Sequence, residues 1–387
     1  MTDPLIEPLH IGPIEVWPPV VLAPMAGVTN APFRTLCRRF GAGLYVSEMI
    51  TARAFVEGNA KTQRLASFAA DETPRSIQLY GIDAHHVGEA VRRLVDTAHV
   101  DHIDLNFGCP APKVTRNGGG AALPVRRALL TEIVRAAVRG AGTTPVTAKF
   151  RLGVDDDHLT FLDTGRICED EGCAAIALHA RTAFQLYSGD AAWAAIGTLK
   201  AAVTSIPVLG NGDIWEADDA LDMMRATGCD GVVVGRGCLG RPWLFGDLVR
   251  AFQGSDPIDP PTLGAVCDTM IEHLDMLVTW HIDGGSEPDY ARTHGVRDFR
   301  KHTGWYLKGY PVGNELRRQL NQLDSQTQLT ELLAPLDRDA VMLPAGRRAK
   351  RGHQNGPRQV SLPDHWYELA DSVAAISAGA ESPVSGG

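Results

Sequence analysis

Pro207-Val208-Leu209-Gly210-Asn211-Gly212-Asp213 and Gly231-Val232-Val233-Val234-Gly235-Arg236-Gly237 are two short apolar runs, each ending on a polar residue held between glycines. Continuous rather than alternating apolarity suits a strand covered on both faces, as in a parallel sheet wrapped by helices. Between them, Glu216–Thr227 has helical spacing. Upstream the same unit recurs. Strands are expected at Val20–Gly27, Gly43–Met49, Arg75–Gly81, His102–Gly108, Pro145–Arg151 and Ala175–Arg181, with helices at Asp83–His99, Val125–Gly140 and Leu159–Gly172. Eight such units between residues 20 and 251 predict an α/β fold, a (β/α)8 TIM barrel. An open doubly wound sheet would need edge strands, and none of the eight runs is less apolar than the rest.

A TIM barrel carries its functional residues at the C-terminal ends of its strands. Met25, Glu48, Gln78, Asn106, Lys149, Arg151, His179, Arg181, Asn211 and Asp213 all fall there. Residues two apart share a strand face, so Lys149 with Arg151, and His179 with Arg181, should look together into the mouth. The turns Gly210–Asp213 and Gly235–Gly237 suit a phosphate, because glycines let backbone N–H groups approach an anion and Arg236 adds charge. In Asn106-Phe107-Gly108-Cys109-Pro110 the sharp exit from the fourth strand would hold the Cys109 thiol over the mouth. The neighbouring Gly118-Gly119-Gly120-Ala121 suits a loop that closes over substrate. As an acid, Cys109 must keep its proton, which excludes a strongly cationic pocket. Lys149 inside a barrel needs an anion, either a cofactor ring or a strand carboxylate such as Asp104. Gln78 could bond a heterocycle or merely satisfy backbone groups. His179 and Arg181 read as a cationic pair for an anion or a pyrimidine.

Among the 387 residues, 37 Lys and Arg stand against 46 Asp and Glu, a net charge of −9. That excludes a wholesale polyanion-binding surface, so nucleic-acid contact must use local patches. Two exist. Residues 290–318 hold Arg292, Arg297, Arg300, Lys301, Lys308, Arg317 and Arg318, interleaved with Trp305, Tyr306 and Tyr310. This pattern suits RNA by phosphate pairing and stacking, or else a solvated helix face with its aromatics turned inward. Residues 338–358 are the second patch and read as a basic tail.

The seven cysteines include no CxxC, which argues against a disulfide framework or a thiolate zinc site. No metal is expected. No apolar run approaches the ~18–20 residues of a membrane span, and Met1–Glu7 lacks a signal-peptide pattern, so a cytoplasmic monomer is expected. Three segments follow: a barrel over 1–254, a helical domain over 262–336 beyond a proline-rich linker, and a flexible tail over 337–387. The helical domain shows its periodicity at Val266–His281 and Gly313–Leu323, and Trp366–Leu369 is expected to dock as one short helix before a Gly/Ser-rich end.

Ala23-Pro24-Met25-Ala26-Gly27-Val28-Thr29, Gln78-Leu79-Tyr80-Gly81, Asp104–Pro110, Lys149-Phe150-Arg151, His179-Ala180-Arg181-Thr182, Gly210–Asp213 and Gly235-Arg236 together resemble the tRNA-dihydrouridine synthase family, most closely its bacterial B-type, NifR3-like branch. The resemblance runs from about residue 9 to 336. It implies an FMN-bearing barrel, a helical tRNA-binding domain, and NADPH as the reductant. Hydride would pass from flavin to C6 of a flipped-out uridine, with Cys109 giving the proton to C5. By motif match, Pro24, Met25, Ala26, Gln78, Lys149, His179, Asn211, Gly212, Asp213, Gly235 and Arg236 would bind the cofactor. Asn106, Arg151, Arg181, Arg300, Lys301 and Lys308 would contact substrate. The other readings are a flavin barrel acting on a free pyrimidine or small enone, as dihydroorotate dehydrogenases do, and a protein that only binds tRNA. A basic helical extension is of no use to the first, and Cys109 with Lys149 is of no use to the second.

Overall fold

Short apolar strands joined by amphipathic helices bury both sheet faces by closing on themselves. The computed structural model, which describes residues 7–41 and 43–373, shows this closure. Its strands are β1 (Leu9–Ile11), β2 (Ile14–Val16), β3 (Val20–Leu22), β4 (Leu44–Thr51), β5 (Ser76–Tyr80), β6 (His102–Phe107), β7 (Val146–Arg151), β8 (Ala175–His179), β9 (Val208–Asn211) and β10 (Gly231–Val234). Strands β3 to β10 form a closed parallel barrel in chain order, β10 pairing with β3. All eight expected strands are present, several ending sooner because the glycine-rich residues form the turns that leave them. The readings made on Met1–Ile6 and on the Gly/Ser-rich end lie outside the described residues.

Register stacks the interior in rows. Gln78, Asp104 and Thr147 pair across β5, β6 and β7; Asn106 and Lys149 pair one row higher; Arg151, His179 and Asn211 form the row at the mouth. Parallel partners share a face, so the three rows are successive layers of the barrel interior. The opposite wall is apolar, with Val21, Val46, Leu209 and Val233 packed together.

The antiparallel hairpin β1–β2 was not anticipated. It stoppers the lower end, packing Leu9, Ile11 and Val16 on Val21, Leu44 and Ala175. Outside the barrel, residues of the strand backs and surrounding helices, such as Phe33, Leu79, Ile133 and Leu178, make one large core.

Beyond the irregular segment 255–261, helices Leu263–Asp283, Pro288–Tyr306, Asn314–Asn321 and Gln326–Leu333 build a second core around Met270, Phe299, Tyr306 and Leu320. This unit docks on the barrel through Trp280, whose indole donates to Ser67 Oγ at 2.8 Å, and through the Arg39–Glu272 pair at 2.6 Å. At Gly240, φ is +64°, and a Cβ there would collide with the backbone of Trp305 and Tyr306. Only glycine permits that approach.

Over residues 337–373, the described part of the segment read as a flexible tail, the chain packs against the rest of the protein. Arg351 is 1% exposed and donates to the carbonyls of Gly346, Ala349 and Lys308. Trp366 is 3% exposed, within the short helical turn Trp366–Leu369. A buried guanidinium and a buried indole are groups that ordered structure must satisfy.

Candidate active site

Cys109 leaves β6 two residues past its end and is partly exposed, unlike the six buried cysteines. Asn106 Oδ1 accepts the N–H groups of Gly108 at 3.1 Å and Cys109 at 2.9 Å. Arg151 Nε donates to the Gly108 carbonyl at 2.9 Å, and Ala121 N–H donates to the Cys109 carbonyl at 3.0 Å. The thiol is therefore carried on a backbone held from three sides. Burial pushes its pKa above the ordinary value, against the opposing pull of the Ala111 backbone N–H and then of Arg151 and Lys113. At neutral pH it is a thiol with a proton to give.

A polar chain runs up the barrel to that backbone. His102 Nε2 lies 2.9 Å from Thr147 Oγ1, which donates to Asp104 Oδ1 at 2.6 Å. Gln78 Nε2 donates to Asp104 Oδ2 at 2.6 Å, and Asn106 Nδ2 donates to Gln78 Oε1 at 2.8 Å. Each amide orientation follows from its partners. Burial raises the Asp104 pKa, and burial lowers that of His102 to about 3, so the imidazole is neutral. Gln78 thus serves the chain as well as facing the interior.

Lys149 Nζ donates to Asn211 Oδ1 at 2.8 Å, and Asn211 Nδ2 donates to the Val233 carbonyl at 2.6 Å. Asp104 is not its hydrogen-bond partner. Burial, with Arg151 nearby, lowers the Lys149 pKa to about 8. His179, like His102, is neutral, and the expected cationic His179–Arg181 pair is corrected. Burial, then the charges of Arg151, Lys149, Arg181 and Arg236, hold the imidazole far below its usual range.

Arg181 is fully buried and donates to the carbonyls of Ser188 and Gly189 and to Asp213 Oδ2, at 3.1, 2.7 and 2.6 Å. Arg151 Nη1 donates to the Thr182 and Leu186 carbonyls, each at 2.9 Å. These two arginines therefore shape the 182–191 loop rather than stand free as ligands. Arg236 lies over Tyr187 and Trp215, 4.5 and 5.1 Å from the ring centroids. Asp213 sits at φ +57° and Gly212 at φ +129°, which fixes the turn after β9.

Pro24 and Met25 are partly buried and Ala26 exposed, in the turn after β3. The Met25 carbonyl accepts the N–H groups of Val28 and Thr29, and Gly27 N–H donates to Glu48 Oε2 at 2.7 Å. Lys301, from the helical unit, reaches this turn: its Nζ is 3.2 Å from where a Cβ on Gly27 would stand. Lys301 is exposed. The other two expected tRNA contacts are engaged internally, Arg300 Nε donating to the Leu323 carbonyl and Lys308 Nζ to the Lys350 carbonyl, both at 2.6 Å. Of the two readings left open for the aromatics, the structure favours the one that turns them inward. Tyr306 and Tyr310 are core residues and Trp305 packs on the barrel. Sequence reading missed Tyr187, where Arg151 and Arg236 converge and which lies 6.4 Å from His179 between ring centroids. Its signal was an aromatic residue in the loop just after His179-Ala180-Arg181.

The dihydrouridine synthase (Dus) family model matches residues 21–341, the barrel and the helical unit together. The chain belongs to the dihydrouridine synthase family. A probable tRNA-dihydrouridine synthase of Mycobacterium tuberculosis (strain CDC 1551 / Oshkosh) is 52% identical, over 98% of this chain and 97% of its own length. The corresponding protein of Mycobacterium leprae is 50% identical over 95% of this chain and its own full length. A tRNA-dihydrouridine synthase B of Xanthomonas axonopodis pv. citri is 41% identical, over 83% of this chain and 94% of its own. In this dihydrouridine synthase family member, all seven motifs quoted from the sequence lie within the matched residues. No helix among the described residues is long and apolar enough to cross a membrane.

Proposed function

We propose that this chain is a tRNA-dihydrouridine synthase that reduces the C5=C6 bond of uridine in tRNA, using FMN as cofactor and NADPH as reductant. The observation that carries the proposal is Cys109, a partly exposed, protonated thiol fixed at the mouth of a barrel whose interior rows offer Gln78, Asn106 and Lys149.

The residues fit an anionic flavin phosphate. Lys149, Arg151, Arg181 and Arg236 crowd the mouth, and Arg181 Nη1 is buried without a hydrogen-bond partner among the described residues. Excess buried cation of this kind favours an anion. Gly212, Asp213, Gly235 and Arg236 would hold the phosphate by backbone N–H groups and guanidinium. Pro24, Met25 and Ala26 would line the ring, and Gln78, Lys149, His179 and Asn211 would bond its polar edge.

When bound, FMN reduced by NADPH supplies the hydride that uracil C6 receives. Cys109 Sγ gives its proton to C5, and solvent later restores that proton to the thiolate. Asn106 and Arg151 fix the backbone that aims the thiol, because a small misplacement of an acid is costly. His179, being neutral, can donate or accept a hydrogen bond without adding charge. Lys301 stands beside the Gly27 turn, where it can meet an RNA phosphate.

Purified protein should carry flavin absorbance and, with NADPH, convert uridine to dihydrouridine in unmodified tRNA. A preparation that neither holds nor can be reconstituted with FMN would overturn the cofactor assignment.

A further inference from the structure

The segment after residue 350 lies beyond the family match, which ends at 341. Arg351 anchors it to the helical unit through the Lys308 carbonyl at 3.1 Å. It then crosses the rim of the barrel mouth. The His353 carbonyl accepts from Arg236 Nη1 at 2.9 Å, and Arg358 N–H donates to the Phe184 carbonyl at 2.9 Å. Tyr367 stacks on His158 with centroids 4.0 Å apart. The strap ends on the loop that follows Cys109.

There Trp366 packs with Ala122, Val125 and Val154, and its Nε1–H donates to the Ala122 carbonyl at 2.8 Å. Arg126 lies 5.0 Å over the indole and donates to the Ser372 carbonyl at 2.7 Å. One residue before Ala122, Ala121 N–H holds the Cys109 carbonyl at 3.0 Å. Gly120 sits at φ +53°, and a Cβ there would collide with that same carbonyl. Residues 120–125 form a buried 3-10 turn whose Leu123 enters the core around the barrel, while its Ala122 and Val125 pack against the indole.

We propose that Trp366 is a positioning residue: through the Ala122 carbonyl it fixes the 118–125 loop, and through that loop the Cys109 backbone. The inference rests on the reading of Cys109 as the proton donor. An indole buried on one face and hydrogen-bonded at its edge supplies both packing and direction. Releasing it frees a loop that an acid at C5 requires to be in place.

The test uses full-length, FMN-loaded Trp366→Ala and Trp366→Phe with unmodified tRNA, plus labelling of Cys109 by iodoacetamide at about pH 8.5, read by peptide mass spectrometry. Trp366→Ala should lower kcat about tenfold at unchanged KM for tRNA and unchanged flavin content, and label Cys109 several-fold faster. Trp366→Phe, which keeps the ring but not the N–H donor, should fall between the two. A folded Trp366→Ala with wild-type kcat and labelling overturns the proposal. If that variant does not fold, wild-type behaviour of Trp366→Phe overturns it. Cys109→Ala separates the two readings: continued turnover there would remove the proton-donor assignment, while faster labelling in the Trp366 variants would still establish the brace.

Discussion

Burial decides the protonation of the two groups on which the proposed chemistry turns. The Cys109 thiol is raised by desolvation, so its alkylation should stay slow near neutrality and climb only above about pH 9. A labelling rate already at its plateau at pH 7 would mean a thiolate and would deny it the role of acid. Lys149 moves the opposite way, to about 8 from the ordinary 10.5. Between those values the unfolded chain binds a proton that the native protein does not, so stability rises with pH through that window. Below it, the native state bears a buried charge that it solvates poorly. Lys149→Met should therefore stabilise the cofactor-free protein at pH 7, with the gain fading by about pH 10.5, as urea titrations would show. The same variant should hold FMN less tightly. Both residues were legible in the sequence, because a polar group at the end of a barrel strand has few structural reasons to be there. Their partners were not. Lys149 bonds Asn211 rather than Asp104, a choice set by the stagger of β7 against β8 and β9.

At the scale of elements, the barrel strands were readable because each is a continuous apolar run that a two-sided burial requires. Hairpin β1–β2 escaped notice since three-residue strands carry almost no periodicity, even with Gly12-Pro13 marking the turn. The 118–125 loop illustrates a different limit. Its glycines suggest mobility, yet Gly120 is there for close approach to Cys109, with φ at +53°. Gly120→Ala should destabilise the protein by at least about 1 kcal/mol, as positive φ without glycine is strained and the added methyl has no room. A lowered urea midpoint with reduced dihydrouridine formation would bear this out; wild-type values for both would refute it. Helical periodicity, read at Val266–His281 and Gly313–Leu323, likewise does not say which face of Pro288–Tyr306 docks, and there Trp305 and Tyr306 serve packing.

For the whole molecule, segments distant in the chain meet at one rim. Arg351 and Trp366 are fixed by Lys308 and by Ala122, partners whose sequence separation no local pattern reveals, which is why a basic, Gly- and Pro-punctuated stretch reads as a loose tail. The same long-range docking sorts the three basic residues expected to meet tRNA. Lys301 is exposed beside the Gly27 turn, whereas Arg300 and Lys308 satisfy carbonyls. Lys301→Ala should weaken tRNA binding and reduce its log–log salt slope by about 1, measured by binding titrations across salt. Arg300→Ala should instead cost about 1 kcal/mol of stability by stranding the Leu323 carbonyl. A salt slope unchanged by Lys301→Ala would return that lysine to the solvated surface. The central claim, that Cys109 delivers the proton, is tested most directly by a single turnover: FMN-loaded protein reduced with NADPH, mixed with unmodified tRNA, wild type beside Cys109→Ala. The account predicts equal flavin content and tRNA affinity with dihydrouridine formation slowed by about a hundredfold or more in the variant. Formation at the wild-type rate would contradict it.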